Sequence, residues 1–171
     1  MAVSDRFYVK GTAYNLRNFD ETSICEVYYM NDSSGAFTAG HAAILLVNSN
    51  GEGILFSYGA ATSDYFDGPA RMNIGIYKGE GLEKMIADGE KRKAISTTGN
   101  VVEEEYNRWQ GYEVSAQSGK KMFEKAIDIT GNLKNYDLLK NNCDQTSVEI
   151  LNSGGINYES KILPNFTYLS E

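Results

Sequence analysis

Apolar positions along this chain fall mostly into short runs separated by turn chemistry, with a few stretches at helical spacing. An early patch, Phe7-Tyr8-Val9, is followed by a polar loop and then by Ile24 to Met30, where β-branched and aromatic residues predict a strand. Asn31 to Gly35 holds residues that bond their own backbone or tolerate positive φ, and predicts a turn. His41 to Val47 and Ile54 to Gly59 are nearly continuous apolar runs on either side of Asn50-Gly51. That pattern predicts a β-hairpin, and its continuity predicts a central pair covered on both faces. Ala60 to Arg71 reads as a loop carrying Asp64, Tyr65, Phe66 and Asp67, and Met72 to Tyr77 as a further strand.

The second half turns helical. Leu82, Met85 and Ile86 predict a short helix stopped by Gly89, with a weak strand at Ala94 to Thr97. Val101 to Gln110 reads as a helix with Val102, Tyr106 and Trp109 on one side. Ser115 to Thr130 is the stronger helix, with Met122, Phe123, Ala126, Ile127 and Ile129 as its apolar face and Gly131 as its stop. Tyr136 to Leu151 reads as an approach segment, a polar break, and a helix beginning at or just before Cys143. Asn141 and Asn142 suit a helix cap, Asp144 suits the positive end of the helix dipole, and Val148, Ile150 and Leu151 supply apolar contacts. Beyond Gly154 the chain reads as a loop in which Pro164 bars a long helix. With no repeat and no compositional seam, residues 1–171 read as one α+β domain.

Composition narrows the function. The chain has 171 residues, 42% of them hydrophobic, enough for one cored domain. A formal net charge of −7 argues against nucleic acid and anionic membrane surfaces, and suits a basic partner. No run is long enough to span a bilayer, so membrane insertion is not expected. Met1 to Arg6 lacks the apolar core of a signal peptide, so the expectation is a soluble protein, cytoplasmic or delivered into a target cell by a secretion system. Two cysteines do not make a disulfide framework, and one histidine with two distant cysteines does not make a metal site. Neither a metal nor another cofactor is expected. Cys25, within its strand, reads as a buried small residue.

The candidate chemistry is a thiol. On the first turn of a helix, the dipole and the free amides favour the thiolate of Cys143, the form that attacks carbon. A thiol nucleophile needs a base, and His41 is the single imidazole in the chain. Chain order is no obstacle, since such a pair is defined by geometry. The competing reading treats both as structural, because free cysteine is among the most buried residue types and a histidine beside an apolar run is commonly a packed one.

Gly40-His41 opening an apolar strand, a hairpin ending in Phe56-Ser57-Tyr58-Gly59, and Tyr136-x-Leu-Leu-x-x-Asn142-Cys143 together resemble the circularly permuted NlpC/P60-type papain-like hydrolases. That set includes the lecithin:retinol acyltransferase-like proteins. The resemblance spans Gly40 to Leu151 and rests on short motifs. It implies a permuted papain-like fold, with a central antiparallel sheet packed against helices and the nucleophile at a helix N-terminus. Cys143 would be the nucleophile and His41 the base and later general acid. The third, orienting position carries Ser57, where relatives place histidine, asparagine or aspartate; Asp64 and Asp67 are the carboxylates that could stand in. Symmetric pairing about Asn50-Gly51 sets Ser57 or Tyr58 opposite Ala43, one same-face step from His41. The Cys143 backbone amide would lead the oxyanion hole, with Asn142 and Gln145 as further candidates and Asn142 equally a cap. Tyr58 and Tyr136 are candidate site neighbours.

The implied activity is hydrolysis of an amide or peptide bond in a peptide, a protein or a peptidoglycan stem peptide. The setting would be an interbacterial toxin or effector restrained by an immunity protein. Two alternatives stay open: a thiol acyltransferase of the same fold, and a non-catalytic binding domain.

Overall fold

The computed structural model describes residues 19–33, 39–86, 94–95, 101–102 and 106–170. Phe7-Tyr8-Val9, Gly35 and Gly89 lie outside them. The fold is α+β. Strands β1 (Ile24–Asp32), β2 (His41–Asn48), β3 (Glu52–Ala60) and β4 (Ala70–Lys78) precede a short helix α1 (Glu80–Ile86). Two-residue strands β5 (Ala94–Ile95) and β6 (Val101–Val102) pair with each other, and β7 (Arg108–Glu113) leads into helices α2 (Ala116–Gly131), α3 (Cys143–Ser153) and α4 (Pro164–Ser170). The main sheet has the order β4-β3-β2-β1-β7, every neighbouring pair antiparallel. Among the described residues no helix is long and apolar enough to cross a membrane.

The hairpin forms as its pattern predicts, with Gly51 at φ +77° in the turn and Ile44 opposite Phe56. Both of its faces are covered. On one, Ile44, Leu46, Ile54 and Phe56 meet Met122, Phe123 and Ile127 of α2 and Val148 and Leu151 of α3. On the other, Ala43, Leu45, Val47 and Leu55 pack with Tyr28, Tyr77, Leu82 of α1 and Tyr106. This two-sided burial explains why the alternation expected of a half-exposed strand is missing.

Three sequence expectations need correction. Asn31 and Asp32 belong to β1 rather than to a turn: Asn31 is fully buried, its side-chain amide donates to the His41 carbonyl, and Arg108 donates to its Oδ1. The described residues of Val101 to Gln110 are not helical: Val101–Val102 and Arg108 to Gln110 lie in strands. The i, i+3 aromatics imitate a helix, but Trp109 lies opposite Met30 and Gly111 opposite Tyr28, so cross-strand aromatic packing decides the backbone. Pro164 does not leave a loop behind it; it opens α4 at the one helical position where its missing N–H costs nothing.

Gly111 is required by close approach. A Cβ there would stand 2.6 Å from the Tyr28 ring, which is itself fixed edge-on against Trp109. Gly111→Ala is expected to lower unfolding stability by about 1–3 kcal/mol through overpacking, measured as a lower urea midpoint; an unchanged midpoint would show that Tyr28 can move aside.

Candidate functional site

The start of α3 is built by reciprocal capping. The Asn142 side chain accepts from the Gln145 amide at 3.0 Å, and the Gln145 side chain accepts from the Asn142 amide at 2.9 Å. The remaining polar groups of both residues hold neighbouring chain. Asn142 Nδ2 donates to the carbonyls of Leu138 and Ile162, and Gln145 Nε2 donates to that of Leu139. Both candidate oxyanion donors therefore serve the helix start. What they deliver is Cys143 as first residue of an ordered helix, 3% exposed, with Tyr136 against its sulfur.

Tyr136 is buried and stacks on Tyr58 at 5.8 Å between ring centroids, with the Tyr65 ring edge-on to it at 6.4 Å. Tyr58 donates from its hydroxyl to the Lys134 carbonyl and accepts from Asn141 Nδ2. It thus supports Tyr136 rather than His41. A cavity of about 130 Å³ opens behind Tyr58, lined also by Asp128, Asn132, Asn141, Thr146 and Glu149.

His41 begins β2, next to Gly40 at φ +91°. Its Nε2 lies 2.7 Å from Ser57 Oγ, so the hairpin brings together the imidazole and the predicted third residue. Tyr106, whose ring centroid is 6.1 Å from that of His41, donates to the same Ser57 oxygen at 3.5 Å. Sequence reasoning missed Tyr106 as part of this group because it assigned the residue to a helix. Asp64 and Asp67 are elsewhere. Asp64 Oδ1 accepts the Phe66 and Asp67 amides to close its loop, and Asp67 accepts from Asn135.

Alternation places His41 in phase with Ala43 and Leu45, the face of Leu55, Ser57 and Tyr106. Cys143 is grouped with Tyr29 and Tyr136, which belong to the helix-side core. Both groups lie at the end of the sheet where β2 starts. There Asn142 reaches the Ile162 carbonyl, and the Asn165 amide donates to the Ala39 carbonyl at 3.2 Å.

Next to the thiol lies the most enclosed acidic group of the site. Asp144 is 0% exposed and accepts from Tyr29 at 2.6 Å, from Thr167 at 2.7 Å and from Ser160. The sequence placed it correctly in the first helical turn, but as a dipole partner and not as a buried hub. Leu139 and Ile162, whose carbonyls meet Gln145 and Asn142 at the same helix start, are exposed. Ile162 is held at φ +73°, a region that β-branched residues rarely enter. Cys25, expected to be buried, is a half-buried free thiol, and burial, then Glu26 and Glu113, push it above the ordinary thiol range. Among the described residues no set of three histidine, cysteine, aspartate or glutamate side chains comes together to hold a metal ion. No protein-family model, curated protein or solved structure matches the chain.

Burial pushes the hydroxyls of Tyr29 and Tyr136 well above the usual phenol range, with Asp144 adding to the effect on Tyr29 and Cys143 to that on Tyr136; it raises Tyr58 to about 12. These raised values fix the sign of the alkaline response. The stability contributed by the three tyrosines is fully present below the unfolded phenol pKa of about 10 and is lost as pH rises above it. Thermal melts from about pH 8 to about pH 11 should therefore show a falling Tm above about pH 10, and less of a fall in Tyr29→Phe. An equal fall in that variant would show that Tyr29 does not contribute to it.

Proposed function

We propose that this chain is a cysteine hydrolase that cleaves an amide or peptide bond through Cys143, with His41 as base and Ser57 as its orienting partner. The observation that carries the reading is the 2.7 Å contact between His41 Nε2 and Ser57 Oγ, at the end of the sheet where the helix of Cys143 begins. Tyr106 donates to Ser57, whose other lone pair can take the Nε2 proton. In this reading the ring carries its proton on Nε2 and Nδ1 acts as the base.

In this reading the pair operates around the end of the sheet where β2 starts. His41 Nδ1 takes the thiol proton as Cys143 Sγ bonds to the carbonyl carbon. The resulting oxyanion faces the amides of the first turn of α3, which capping holds in place. The amine leaves with the proton from His41 as the C–N bond breaks, giving a thioester. Water, deprotonated by His41, then releases the acid and restores the thiol. The exposed Tyr65 and Phe66 beside Tyr136 form a lip for substrate. The favoured substrates are a peptide, a protein or a peptidoglycan stem peptide, and the favoured setting is an interbacterial toxin with an immunity partner.

A second reading draws on the 3% exposure of Cys143 and its contact with Tyr136: a binding domain in which both residues are structural. Native alkylation by iodoacetamide across pH, read by mass spectrometry, separates the two, with Cys25 as internal control. The hydrolase reading expects Cys143 to label well below the free-thiol pKa of about 8.5, while Cys25 labels only above it. His41→Ala should cut the low-pH labelling of Cys143 by about tenfold or more, since the activating partner is gone. Slow labelling of Cys143 that is indifferent to His41 would establish the structural reading.

A further inference from the structure

Resting on that reading, we infer that α4 is a clamp that holds the start of β2 against the start of α3, with Thr167, Asp144 and Asn165 as positioning residues for the His41–Cys143 pair. The two reacting side chains come from elements distant in the chain, joined mainly by apolar packing of α3 on the sheet. Apolar contact is non-directional, so it fixes the distance between layers better than it fixes their register. A thiol and an imidazole need that register, because a misplacement of about 1 Å can cost about a hundredfold in rate.

One short helix touches both partners with directional bonds. On the cysteine side, the Thr167 hydroxyl is fully buried, donates to Asp144 Oδ2 at 2.7 Å and accepts the Lys161 amide at 2.8 Å. Asp144 is the residue after the nucleophile, and its Oδ1 accepts from Tyr29 of β1 at 2.6 Å, so α3, α4 and the sheet meet on one carboxyl group. On the histidine side, the Asn165 amide donates to the Ala39 carbonyl, and Asn165 Nδ2 donates to the Ser33 carbonyl at 2.9 Å. Asn165 Oδ1 accepts from Arg108 at 3.2 Å, and Arg108 in turn lies 4.1 Å from the centre of the Tyr168 ring. Gly40, the residue before His41, is pressed against this helix: a Cβ there would stand 2.4 Å from Asn165 Oδ1. With its φ of +91°, that contact explains why glycine precedes the histidine. The path runs Cys143, Asp144, Thr167, Asn165, Gly40, His41, and none of the three positioning residues needs to meet substrate.

The test uses the whole chain and the pH profile of Cys143 alkylation, with circular dichroism and Tm recorded for each variant. Thr167→Val keeps the side-chain shape and removes the hydroxyl; Asn165→Ala keeps the backbone bond to Ala39 but removes the side-chain bonds to Ser33 and Arg108 and the contact with Gly40 that brace the histidine side. Each should lower low-pH labelling of Cys143 by about tenfold and move its profile toward that of His41→Ala. Thr167→Ser, which restores the hydroxyl, should restore the wild-type profile. A merely structural role would lower Tm in Thr167→Val and Asn165→Ala while leaving the His41-dependent part of the profile unchanged, and that result overturns the clamp. So would a Thr167→Ser variant that labels like Thr167→Val. Should Thr167→Val fail to fold, Asn165→Ala and Thr167→Ser decide between these outcomes. Wild-type labelling that ignores His41→Ala instead overturns the hydrolase reading and takes the clamp with it; His41-dependent labelling that ignores Thr167 and Asn165 overturns the clamp alone.

Discussion

Three hydroxyl groups converge on one buried carboxyl group, Asp144, and the arrangement of the second half of the chain follows from that convergence. A carboxyl group removed from water is costly unless hydrogen bonds replace the hydration it has lost. Tyr29 supplies one from the sheet, Thr167 one from α4 and Ser160 one from the segment between α3 and α4. Satisfying Asp144 therefore requires the C-terminal segment to fold back over the start of α3. That return brings the Ile162 carbonyl to Asn142 and the Asn165 amide to Ala39. Capping of α3, the seating of α4 and the placement of the first residues of β2 form one connected set of bonds.

The apolar core and this polar network divide the work. The sheet with α2 and α3 supplies area, and β2 and β3 are buried on both faces because α1 and Tyr106 cover the side that the long helices do not. The polar groups set where elements start and stop. Asn142 fixes the first turn of α3, Asn31 extends β1 to the level of His41, and Ser57 fixes the imidazole itself. Cys143 and His41 are each the first residue of the element that carries it. Each is positioned by an element's end, where hydrogen bonds rather than packing determine geometry.

Local signals were legible in the sequence and long-range ones were not. The Asn50-Gly51 hairpin, its two-sided burial, the helix from Ser115 and the cap at Asn142 each depend on a few consecutive residues, and each could be read from them. The proximity of Ser57 to His41 followed from counting back from the turn. Tyr106 and Trp109 misled because an i, i+3 aromatic pair fits a helix as well as it fits an edge strand; pairing with β1, far back in the chain, decides between them. Asp144 looked like any acidic residue at a helix start, since its partners Tyr29 and Thr167 lie in segments whose meeting no local pattern announces. Pro164 was read as a breaker, although a proline serves equally as a first helical residue.

Because the chain has a single histidine, the central claim can be examined at one imidazole without competing signals. The most direct measurement is nitrogen-15 NMR of the His41 ring in wild type, Ser57→Ala and Cys143→Ala. The Nε2 proton should exchange faster in Ser57→Ala, and the Nδ1 resonance should shift when Cys143 is replaced. An Nδ1 resonance unchanged by Cys143→Ala, in a variant that stays folded, would mean that the imidazole and the thiol do not act on each other, and would contradict the account.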